Sequence, residues 1–104
     1  MRAIYRVQLD KPRPAVILTR DSVLHWRERI TVAPVTSTVR GFAWEVLVGP
    51  KNGLEDTSVV NCDDITTVAQ GDLLEPIGYL SSDQERALAD AIAAAFDLDF
   101  DPAF

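Results

Sequence analysis

The stretch "RITVAPVTSTVRGFAWEVLVGPKNG", residues 29–53, decides the fold. It opens on a mostly apolar run, Arg29 to Val35, which reads as a strand. Three hydroxyls, Thr36, Ser37 and Thr38, break the run, and Arg40-Gly41 follow. Phe42 to Val48 reads as a second strand, and Gly49-Pro50-Lys51-Asn52-Gly53 is a cluster of turn formers. Strands this short, with breakers between them, leave no room for a crossover helix, so an antiparallel arrangement is expected. The hydroxyl run at the strand end suits a turn, and it suits a phosphate equally well.

The same pattern extends in both directions. Ile4 to Leu9 reads as a first strand, Asp10-Lys11-Pro12-Arg13-Pro14 as a proline-stiffened turn, and Ala15 to Thr19 as a central strand. Arg20 to Glu28 is a polar connection holding His25 and Trp26. Downstream, Thr57 to Asn61 and Asp64 to Val68 are short strands, and Gly78-Tyr79-Leu80 is a brief pairing segment. The period then changes. Leu88, Ile92, Ala95 and Phe96 fall at helical spacing, and Ser82 with Glu85 fits a capping box. The expected fold is mainly β, a small antiparallel barrel or roll with a C-terminal helix. One domain is expected over residues 1–98, and residues 99–104 are expected to form a loose acidic tail.

Composition narrows the chemistry. No apolar run approaches the roughly 18 residues of a membrane span, and the N-terminus lacks a signal-peptide core, so a cytoplasmic location is expected. A lone Cys62 excludes an internal disulfide and a thiolate zinc cluster, and reads as a small buried hydrophobe. The net charge is −6, which argues against a general nucleic-acid coat protein. The charge is uneven, however. Residues 1–50 carry eight basic side chains against four acidic, and residues 51–104 carry two basic against twelve acidic. That leaves room for a local cationic site on an acidic body.

With one His, one Cys and scattered carboxylates, no metal and no cofactor are expected, and the scattered glycines form no phosphate loop. What remains is Lys11-Pro12-Arg13-Pro14 just before one central strand and Thr36-Ser37 just after another. If those strands pair antiparallel, the start of one lies beside the end of the other, and Arg13 faces Thr36 and Ser37 at one rim. A guanidinium fork with hydroxyl donors suits an RNA or nucleotide phosphate; a rim salt bridge with turn hydroxyls is the structural alternative.

Four segments in order, Arg13-Pro14-Ala15-Val16-Ile17-Leu18, Ala33-Pro34-Val35-Thr36-Ser37-Thr38, Ser58 to Val68 and Ile77-Gly78-Tyr79-Leu80-Ser81, resemble the MazF/PemK-like toxins of type II toxin–antitoxin systems. The resemblance covers residues 2 to about 98. It implies an SH3-like barrel, a homodimer, a MazE-like antitoxin partner and a sequence-specific, ribosome-independent endoribonuclease acting on single-stranded RNA. It further implies cleavage without metal by 2′-hydroxyl attack, leaving a cyclic phosphate and a 5′-hydroxyl. By the same resemblance, Arg13 and Thr36 match the family's catalytic pair. Ser37 and Lys11 flank that pair. Trp26 is a candidate base-stacking residue, with Arg27 and Arg29 on phosphates; a hydrophobic cap or a dimer contact is the other reading of Trp26. Glu45 and His25 are base candidates on chemistry alone, and His25 reads first as a solvent-facing loop residue. Trp44 reads as core or interface. The chain departs from the family in two ways: Arg2-Ala3-Ile4-Tyr5 replaces a Gly-Asp pair, and the loop before Arg13 shrinks to Asp10-Lys11-Pro12. The shorter loop opens the question of whether a carboxylate is lost from the site. A non-enzymatic toxin that binds a protein such as DNA gyrase is the alternative function.

Overall fold

The structure is a computed structural model that describes residues 1–98; the tail expected at 99–104 lies outside the described residues. Seven strands run in chain order, β1 (Ala3–Gln8), β2 (Pro12–Ile17), β3 (Arg29–Thr36), β4 (Glu45–Val48), β5 (Ser58–Asn61), β6 (Thr66–Ala69) and β7 (Leu73–Tyr79), followed by helix α1 (Ser82–Ala95). Every strand pairing is antiparallel, in the order β4-β5-β3-β2-β1-β7, with β6 also on β3. The sheet curls into a half-barrel, and α1 packs on β4.

Strand β3 organises the sheet. One of its edges takes β2, and the other is shared: Arg29 to Val32 pair with β6, and Val35 to Thr36 pair with β5. The change of partner falls at Ala33-Pro34, where proline has no amide to donate. The split lets the sheet bend around two apolar clusters. The larger holds Ile4, Val16, Val35, Val60, Cys62 and Leu80 under α1 residues Leu88 and Ala91. The smaller holds Val7, Ile17, Ile30 and Val32. Each fully buried side chain of this size contributes about 1.5–3 kcal/mol.

Two expectations about strand bounds are corrected. Pro12 to Pro14 belong to β2 rather than to the turn, which shrinks to Leu9–Lys11 closed by the Leu9 amide on the Lys11 carbonyl at 3.2 Å. They are tolerated because β3 joins β2 only from Ala15 onward, so an edge without a partner runs beside them. Strand β7 is far longer than the brief Gly78–Leu80 segment expected. It carries Pro76 opposite Tyr5, which an edge strand with register shifts against β1 accommodates. The strand expected at Phe42 begins only at Glu45. The expected Ser82/Glu85 capping box is one residue off. Ser81 accepts from the Gln84 amide at 3.2 Å, and Gln84 Oε1 accepts from the Ser81 amide at 2.9 Å.

A buried polar knot ties the end of the sheet to α1. Asn52, 5% exposed in a 3₁₀ turn over Pro50–Asn52, donates through Nδ2 to the Tyr79 carbonyl at 2.9 Å and to Gln84 Oε1 at 2.6 Å. Its Oδ1 accepts from the Gly49 amide at 3.0 Å and from Gln84 Nε2 at 3.0 Å. Two glycines make this crossing close enough. Gly53 sits at φ +90°, and a Cβ on Gly78 would run into the Asn52 carbonyl. Arg2, in the segment that departs from the toxins the sequence resembles, is structural. Its Nη1 donates to the carbonyls of Ile17 at 2.8 Å and Leu18 at 3.0 Å, and its Nε lies 3.7 Å from Glu85 at the start of α1.

Candidate active site

The pairing of β2 with β3 ends at Ala15 opposite Pro34. Beyond that pair the strands part: β2 continues backward along β1 and β3 turns to β5, so a notch opens between them. Arg13 and Thr36 stand on its two lips. Both line a cleft of about 620 Å³ on one side of the notch and another of about 450 Å³ on the other. As the antiparallel reasoning from sequence expects, these two side chains share one rim.

Each is held in a way that leaves bonding capacity outward. Arg13 Nε donates to Asp10 Oδ1 at 2.8 Å and Arg13 Nη2 to Asp10 Oδ2 at 3.0 Å, a bidentate pair across the short turn. The rest of its fork faces the clefts. The hydrogen bond from Arg13 is the main reason the Asp10 carboxyl is pulled down to about 2, and the same bond pushes the Arg13 guanidinium upward. Thr36 Oγ1 accepts from the Thr38 amide at 3.2 Å. Its own hydroxyl hydrogen remains free to donate. The hydroxyl run thus serves a turn and leaves a donor at the rim.

Asp10 was missed from sequence, where a carboxylate in a turn reads as solvated. Its spacing three residues before Arg13 was the available signal. The short loop consequently retains a carboxylate at the site. Lys11 and Ser37 line the smaller cleft with Arg13, alongside Arg6, Glu55 and Asp56. Glu45 lines the larger cleft, but its Oε1 accepts from the amides of Arg40 at 3.1 Å, Gly41 at 2.8 Å and Phe42 at 3.3 Å. It is engaged in shaping that loop.

Trp26, Arg27, Arg29 and His25 are not part of this rim. The connection that bears them joins the end of β2 to the start of β3, which is the other end of the hairpin. Arg29 stands roughly 20 Å along β3 from Thr36. Trp26 is 72% exposed, with Nε1 donating to the Ser22 carbonyl at 3.3 Å. Val23 and Leu24, in the same connection, are buried, so it is less polar in effect than in composition. Trp44 packs against the larger core cluster. Cys62 is fully buried and desolvation pushes its thiol up to about 11, far from a reactive thiolate. Among the described residues no three His, Cys, Asp or Glu side chains gather as a metal ligand set.

The fold and rim define a class: a small curled-sheet protein with a guanidinium and a hydroxyl set across a strand split, an arrangement suited to an anionic phosphodiester. Comparison with known proteins makes the class specific. Residues 3–96 match the family described as the PemK-like, MazF-like toxin of type II toxin-antitoxin systems, and the chain belongs to that family. It is 54% identical over 100 residues to Endoribonuclease MazF3 of Mycobacterium tuberculosis strain H37Rv, covering 96% of this chain and 97% of that protein. It superposes on the structure of Mycobacterium tuberculosis toxin MazF-mt6 with a TM-score of 0.92 at 54% identity, covering 95% of this chain and all of that one. A mycobacterial endoribonuclease solved in complex with its cognate antitoxin shares the fold, with a TM-score of 0.83 at 23% identity and 95% of each chain covered.

Proposed function

We propose that this toxin is an endoribonuclease that cuts single-stranded RNA at the notch between β2 and β3, and that Arg13 and Thr36 carry the reaction. The observation behind it is their juxtaposition across the notch, in a chain that is 54% identical to a protein named for this activity. In the reaction the ribose 2′-oxygen attacks the adjacent phosphorus while the bond from phosphorus to the 5′-oxygen breaks. The 2′-hydroxyl proton departs, the 5′-oxygen gains one, and the products are a 2′,3′-cyclic phosphate and a 5′-hydroxyl. Negative charge grows on the nonbridging oxygens, so preset donors stabilise the transition state more than the ground state. Arg13 neutralises that charge and Thr36 donates to it.

Asp10 orients Arg13. A guanidinium is protonated at neutral pH in any case, and the Asp10 hydrogen bond only raises its pKa further, so Arg13 acts by electrostatic stabilisation rather than as a proton shuttle. Ser37 and Lys11 assist with phosphates along the smaller cleft. The active form is a cytoplasmic homodimer, held in check by a cognate antitoxin that covers the notch. The test is incubation of purified protein with RNA in EDTA, followed by direct kinase labelling of new 5′-hydroxyl ends. Wild type yields labelled ends, and Arg13→Ala and Thr36→Ala do not. Full cleavage by either variant overturns the assignment.

A further inference from the structure

Phe42 is a large apolar ring left 44% exposed, and it lines the same cleft as Arg13 and Thr36. The ring stacks on Trp44 with centroids 4.6 Å apart and planes 23° from parallel. Trp44 in turn is packed against the larger core, so Phe42 is backed by an anchored indole. Its backbone is held as well: the Phe42 amide donates to Glu45 Oε1 at 3.3 Å, and its carbonyl accepts from the Glu45 amide at 3.0 Å. A ring immobilised in this way loses little freedom when something lies on it.

Asp63, Asp64, Asn61 and Arg40 line the same cleft as the ring, together with the apolar Leu9, Pro34 and Val35. An aliphatic ligand would desolvate the charged groups of that wall and offer them no partner. A phosphate would meet the two carboxylates. A flat heteroaromatic group with a hydrogen-bonding rim fits both demands, since its face stacks and its edge meets the polar wall. We infer that Phe42, supported by Trp44, is the stacking seat for the nucleobase next to the scissile phosphate. The phosphate stays on the lip with Arg13, and the base turns into the larger cleft. This rests on the endoribonuclease reading and adds to it the residue that grips the substrate's base.

The test begins by sequencing the 5′ ends of RNA cut by the full-length protein, which supplies a short substrate. The base on each side of the cut is then replaced in turn by 2-aminopurine, in an oligonucleotide made uncleavable by one 2′-deoxyribose. Stacking on a ring quenches the 2-aminopurine fluorescence. Quenching is expected at one of the two positions with wild type and with Phe42→Tyr, and is expected to be lost with Phe42→Leu. On the cleavable RNA, Phe42→Leu is expected to raise KM by roughly 5- to 150-fold, the range that one base–aromatic stack commands, while kcat holds. Quenching and KM unchanged in Phe42→Leu sink the seat alone. So does a loss accompanied by dissociation of the assembly in sedimentation, which would make the ring a protein contact. A wild-type chain that cuts no RNA sinks the nuclease reading and the seat with it.

Discussion

Two polar clusters of the molecule face opposite demands. Around Asn52, buried between the end of β7 and α1, the amide's oxygen and nitrogen are both partnered within the protein. Around Arg13, on the open notch, the guanidinium holds one carboxylate and presents its remaining donors to the clefts. The first arrangement is complete because an unpaired buried polar group costs about 1–3 kcal/mol. The second can stay incomplete because water stands in until a substrate arrives. Saturation marks a structural polar residue here, and spare donors mark the residue proposed to act on RNA.

The sharpest way to break this contrast is Arg13→Ala. Cleavage should fall about 10²- to 10³-fold, with stability altered by less than about 0.5 kcal/mol, as read from cleavage kinetics beside a urea titration. A large loss of stability would mean that Arg13 is structural after all. Asn52→Ala should do the reverse. It strands the Gly49 amide, the Tyr79 carbonyl and half of Gln84, and should cost about 2–3 kcal/mol in urea unfolding. Cleavage per folded molecule at low temperature should match wild type. Ser81→Ala, which removes only the cap of α1, should cost about 1 kcal/mol in the same assay.

The smallest effect is expected from acid. Asp10 has its carboxyl lowered from 3.8 to about 2 in the folded chain, so its contribution is present above pH 4 or so and fades as pH falls toward 2. The pair is exposed, so the contribution is slight. Asp10→Asn should therefore lie slightly below wild type in stability near neutrality and converge with it at the acid end. A gap that widens on acidification would reverse the sign assigned to the pair.

Much of this was legible in the residues, and the failures have physical causes. Apolar runs bounded by breakers located the strands, and helical spacing located α1. Pro12 and Pro14 misled, because a breaker in a strand is harmless on an edge that pairs with nothing, and sequence does not say which edges are open. Arg13 and Thr36 were legible because antiparallel pairing brings the start of one strand beside the end of its neighbour. The same rule sends the connection between those strands to the far end. Trp26, Arg27 and Arg29, read from sequence as a separate RNA-contacting element, therefore stand away from the rim that bears Arg13 and Thr36. Asp10 and Phe42 were passed over as a turn carboxylate and a strand apolar. Their roles depend on what lies across the fold from them.

The closing pair of the sheet has a consequence for synthesis. Strand β1 has its outer edge covered only by β7, with Ala3 opposite Tyr79, so most of the chain lies between the two partners. The Leu80 amide then bonds the Arg2 carbonyl, and Arg2 reaches Glu85 in α1. A nascent chain leaving the ribosome N-terminus first cannot complete this sheet until its last strand has emerged. The notch is built on β2, whose support on that side is β1. An activity that acts on RNA thereby stays unassembled for most of the time its own messenger is being read.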